Sequence, residues 1–160
     1  MKPVILERVK YDPVDTRLWI VTNYPKMMDS QGIVRSMPRG LLLDFWSTPR
    51  FFWSRRPPVI GDISDDVAAW HDFFTRCHAV SGLGRRYTQR EFYAGMVHIA
   101  PNISRSWAAI KTGVTWPAVL KSDGSGIHAN PRYNGPVYSE TTGIKMSLPE
   151  WVRGNYREAV

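Results

Sequence analysis

One helical stripe in the middle of the chain constrains the fold more than any other feature. At about 100° per residue, Val67, Trp70, Phe73, Phe74 and Cys77 fall on a single face. Ser64 is a good N-cap ahead of them, and Asp65 and Asp66 put negative charge where the helix dipole favours it. The spacing predicts an amphipathic helix from Asp65 to about Ala79, ended by Gly82 and Gly84. Such a face has to be buried, so the flanking segments must supply the opposing layer.

The preceding segment reads as strands. Thr16–Pro25 is dominated by β-branched and aromatic residues, and Asp12-Pro13 with Asp15 form a turn signal. A hairpin of Ile5–Tyr11 with Thr16–Asn23 is expected. Gly32–Met37 is read as extended and Leu41–Phe45 as a short buried strand, while Pro49, Pro57 and Pro58 keep residues 47–60 irregular. After the central helix, Thr88-Gln89-Arg90-Glu91 matches a capping box opening a second helix that carries Phe92, Met96 and Val97. Asn102 or Ser104 caps a third, with Ile103, Trp107 and Ile110 inward. The expected class is therefore α+β: an N-terminal β-hairpin or small antiparallel sheet packed by three helices.

Residues 122–146 show neither a helical nor a strand period and read as an extended arm. Ser147 and Glu150 form a second capping box with Pro149 inside it, so a short terminal helix follows. The expected division is a core domain over residues 1–121 and an arm with its helix over 122–160. Lacking apolar periodicity, the arm is expected to lie on another molecule.

Composition narrows the function. At 160 residues with 43% apolar content the chain suffices for one core. Cys77 is the only cysteine, which excludes a disulfide scaffold. The apolar run after Lys2 is too short for a signal-peptide core, and no stretch reaches the roughly 18 apolar residues of a membrane span. Net charge is +7, concentrated in residues 1–60, where ten Lys/Arg stand against five Asp/Glu. That excess favours acidic partners, nucleic acid among them, although no nucleic-acid motif accompanies it.

The densest constellation of reactive types is Pro38-Arg39-Gly40, Asp44, Ser47 and Pro49, followed by His71-Asp72 on the central helix. A carboxylate that orients an imidazole raises its basicity, so Asp44 or Asp72 with His71 would activate water or Ser47. The other reading makes these groups structural, with His71 at the border of the apolar stripe locking the helix onto the Leu41–Phe45 strand. Adjacent helix residues do not face one another, which favours the structural reading for His71 and Asp72. His71 and His78 lie two turns apart, about 10 Å, too far for one zinc, so no metal site is expected. No cofactor is called for. Trp46, Arg50, Phe52, Trp53, Arg55 and Arg56 interleave aromatic and cationic side chains as protein interfaces do, and Tyr133, Tyr138 and Trp151 argue likewise for the arm.

Taken in order, Pro38, Gly40, Asp44, Ser47, Pro49, His71, Asp72, Arg85, Phe92 and Met96 resemble the bacteriophage and prophage family called "domain of unknown function 1353". The resemblance covers about residues 32–115. Gln89 departs from it, standing where the family tends to have an aspartate. The resemblance implies a phage protein, made in the host cytoplasm. With the arm it points to a structural or assembly component of a tailed virion, in the tail or at a tail junction, partnered by other phage structural proteins. The alternatives are a hydrolase of cell-wall or lipid substrate and a basic nucleic-acid-binding accessory protein.

Overall fold

A computed structural model describes residues 1–15, 18–44, 63–81, 85–99 and 135–155. The elements in order are β1 (Val4–Glu7), β2 (Tyr11–Asp15), β3 (Leu18–Val21), β4 (Lys26–Met28), β5 (Val34–Ser36), β6 (Leu42–Leu43), α1 (Ile63–Ser81), α2 (Arg85–His98), β7 (Val137–Tyr138), β8 (Lys145–Met146) and α3 (Leu148–Asn155).

All the strand pairing is antiparallel. One sheet has the order β1-β4-β5, a second β2-β3-β6, and β7 and β8 form a two-stranded ribbon. This corrects the expected class. The described residues form a mostly antiparallel structure of eight strands in three sheets with two long helices and one short one, not a small hairpin packed by three successive helices with an extended arm. Most strands are only two to four residues long, too short to display the alternation from which a strand is recognised. The third helix expected after Asn102 lies outside the described residues.

The expected hairpin is also re-paired. β1 leaves it to pair with β4, with Val4 opposite Met28 and Ile5 opposite Met27. The hairpin is instead β2 with β3, and Asp12-Pro13 lies inside β2 rather than in a turn. Pro13 is tolerated because β2 is an edge strand, where a missing N–H need not break a ladder.

α1 is the centre of the described core. Val67, Trp70, Phe73, Phe74 and Cys77 are buried, joined by Val21, Met27, Met37, Leu41 and Leu43 from the sheets. Each large side chain so buried contributes roughly 1.5–3 kcal/mol. The opposite flank of α1 is buried as well, with Asp65, Asp72 and Arg76 all inside. The helix is therefore enclosed rather than lying at a surface with one face out.

The C-terminal segment joins this core. Val137, Trp151 and Val152 are buried in the same cluster, and Trp151 meets Phe73 edge-on at 5.9 Å. Residues 135–155 thus pack on their own chain; 122–134 lie outside the described residues. Three anchoring side chains on the flank of α1 suffice, and anchoring needs no periodic pattern.

Candidate functional site

Asp65 and Asp66, in the first turn of α1, fasten it to the segment between the two sheets. Asp66 accepts from the Val9 N–H at 2.6 Å and Arg8 Nε at 2.8 Å, and Asp65 from the Tyr11 hydroxyl at 2.7 Å. Burial pushes the Asp66 carboxyl above its usual range, more than those two donors pull it down, and neighbouring Asp65 adds to the rise.

A second clasp joins the β4–β5 turn to α2. Asp29 Oδ1 accepts the N–H groups of Gln31 and Ile33, and Oδ2 accepts Arg35 Nε at 3.1 Å and the Tyr87 hydroxyl at 2.5 Å. Burial alone would raise this carboxyl; the donors from Tyr87, Ile33, Arg35 and Gln31 overcome it and hold it below the usual range. Glu91 accepts from both the backbone and the hydroxyl of Ser30. Thr88-Gln89-Arg90-Glu91 therefore does not cap a helix. α2 begins at Arg85, and the Glu91 carboxylate is taken by Ser30.

Between α1 and α2 runs a polar seam. A Cβ on Gly95 would lie 3.0 Å from Val67 Cγ1, and the Phe74 and Tyr87 rings meet at 5.6 Å, so the helices pack antiparallel and close. That register brings Thr88 level with Thr75. Both hydroxyls, and Asp72 Oδ2, are buried and have no hydrogen-bond partner among the described residues. His71 is half-buried beside them. Its Nδ1 lies 3.7 Å from Asp72 Oδ1, beyond hydrogen-bonding distance, so Asp72 does not orient the imidazole in the manner expected of a catalytic pair. Asp44 follows β6, a strand packed on α1. Burial pushes the Cys77 thiol well above its ordinary value, so it is an inert core group.

Ser47, Trp46, Arg50, Phe52, Trp53, Arg55, Arg56 and Tyr133 lie outside the described residues. Trp151, expected at an interface with another molecule, is 3% exposed within its own core and unavailable for docking. Tyr138 is half-buried, in a group the motif reading missed. Arg39 Cζ lies 4.8 Å from the Tyr138 ring centroid and 6.0 Å from that of Tyr24. In the sequence Arg39 stands inside Pro38-Arg39-Gly40, where nothing local assigns it a role.

Among the described residues no group of three or more His, Cys, Asp or Glu is placed to hold a metal ion, and no helix is long and apolar enough to cross a membrane. No family model, no curated protein and no solved structure matches the chain.

Proposed function

We propose that the chain is an assembly component of a tailed-bacteriophage particle, seated in the tail or at a tail junction and working through contacts with other structural proteins. The observation that carries this reading is the outer face of the β1-β4-β5 sheet. Val4, Met28 and Val34 stand side by side in one cross-strand row, and Leu6 projects from the bulge beside Val4. Val4 is 43% exposed, Leu6 53% and Val34 58%. Single exposed apolar residues are ordinary, but a row of them ending on an edge strand is what subunit contacts use. The ordered resemblance over residues 32–115 supplies the phage setting, and the net charge of +7 favours acidic neighbours.

Mass spectrometry of purified particles tests it: the chain should be present at a fixed copy number per particle, and its absence ends the reading. Val34→Lys should fold normally yet be depleted from particles.

The polar seam favours a second reading, a hydrolase of cell-wall or lipid substrate using His71 with Asp44, since Asp72 stands too far from the imidazole to orient it. Buried polar atoms without partners are frequent where chemistry is done. For an enzyme, His71→Asn leaves incorporation and unfolding midpoint unchanged while lysis or infectivity collapses. Full infectivity of that variant would retire the idea.

A further inference from the structure

Arg39 is presented to solvent at the point where the C-terminal segment is held against the core. Gly40 has φ +89, and a Cβ there would lie 2.6 Å from the carbonyl oxygen of Pro136, so only glycine lets the C-terminal segment come this close. That segment is then stitched down: Tyr138 N donates to Arg39 O at 2.9 Å, forming a bridge between residues 99 positions apart in the chain. Tyr24 comes in from the other side, its hydroxyl donating to Ser139 O at 3.2 Å. Two rings from distant parts of the sequence thus converge on one guanidinium.

The guanidinium itself remains available. Arg39 is exposed, and among the described residues no acceptor engages its N–H groups. The acid of this neighbourhood, Glu140, is held by Lys26 at 2.8 Å. An arginine lying on aromatic faces keeps its planar fork of donors while losing rotamer freedom, so less entropy is lost when it grips a carboxylate in bidentate fashion. Tyrosine and arginine are also the residue types that dominate interface energetics.

We propose that Arg39, held between Tyr24 and Tyr138, is a recognition point for a carboxylate on an acidic face of a neighbouring protein. The identity of that neighbour as a particle subunit rests on the assembly reading; the anion site does not. A protein carboxylate fits better than a nucleic-acid backbone. Among the described residues the exposed cations beside the two rings are Arg39 and Lys145, the latter paired opposite Tyr138, whereas nucleic-acid affinity is built from many phosphate contacts.

The test uses the full-length, nitrogen-15-labelled chain and a blocked peptide bearing two glutamates and an aspartate around a phenylalanine. Its amide analogue, with glutamine and asparagine in their places, is the control. Saturable shifts should be confined to the Arg39 Nε–H and the Tyr24 and Tyr138 rings. Affinity should fall about tenfold in Arg39→Lys, the size of one interface anchor. The unfolding midpoint of that variant should match the wild type, because the guanidinium is exposed. Equal binding of the amide analogue, equal binding by Arg39→Lys, or no shift at these groups overturns the site. An oligothymidylate that moves the same resonances at lower concentration than the peptide overturns it in favour of nucleic acid. In particles, depletion of Arg39→Glu alone supports docking through this point. Incorporation equal to wild type removes that docking role while the assembly reading stands. Wild type missing from particles defeats the assembly reading and leaves the peptide measurement to decide the anion site.

Discussion

Asp29 and Asp66 are both buried carboxylates that tie a sheet segment to a helix, yet the fold moves their proton affinities in opposite directions. Asp29 receives two backbone N–H groups, a guanidinium and a phenol; Asp66 receives one backbone N–H and one guanidinium, with another carboxylate beside it. Burial raises the affinity of each carboxyl for its proton. The number of donors decides whether that rise survives. The β4–β5 turn is thus held by an anion the fold stabilises, and the start of α1 by an anion the fold tolerates.

The sharpest way to break this contrast is Asp29→Asn. It leaves the buried Arg35 without this carboxylate, and a loss of about 3–5 kcal/mol in denaturant unfolding is expected, as for other broken buried ion pairs. Tyr87→Phe removes one donor to the same anion and should cost roughly 1.5–3 kcal/mol. Asp66→Asn keeps an acceptor for Val9 and removes a charge that burial already disfavours, so about 1 kcal/mol at neutral pH is expected.

The pH dependence of these variants sharpens the comparison further. With its folded value below the ordinary one, Asp29 contributes stability above the ordinary carboxylate range and loses it as pH falls through the folded value. With its folded value raised, Asp66 contributes stability that is complete below that range and lost as pH rises through the folded value. The gap between wild type and Asp29→Asn should therefore narrow on acidification while the gap to Asp66→Asn widens. Parallel curves would show that donor number does not govern the two sites. The smallest effect is Ser147→Ala, roughly 0.5–1 kcal/mol, since it loosens one exposed helix start.

Ser147 also shows which part of the architecture could be read in advance. Its hydroxyl and Glu150 form the reciprocal box: the Ser147 hydroxyl and N–H donate to Glu150 at 2.6 and 2.8 Å, and those contacts, the hydroxyl first, hold the Glu150 carboxyl below its ordinary value. The identical pattern at Thr88–Glu91 lies within a helix, its glutamate bound to Ser30 about 60 positions earlier in the chain. One box is exposed at a chain segment with nothing competing for it; the other is buried against a turn whose donors are the stronger claim. The candidate site divides in the same way. His71 and Asp72 were visible as helix neighbours that do not face each other, but the Thr88 hydroxyl in the same polar seam depends on how α2 packs. Tyr138 was visible as an aromatic, but its service to Arg39 depends on a bridge across most of the chain.

The sequence by itself determined where the central helix runs, which of its side chains form the apolar stripe, and where the last helix starts. These follow from contacts within a turn or two. Tertiary structure alone decided that β1 pairs with β4 instead of closing a hairpin, that the polar flank of α1 is enclosed, and that Val137, Trp151 and Val152 complete the core rather than reaching for a neighbour. Each of those outcomes is a competition between segments far apart in the chain, settled by which arrangement buries most apolar surface while giving buried carboxylates such as Asp29 and Asp66 their donors.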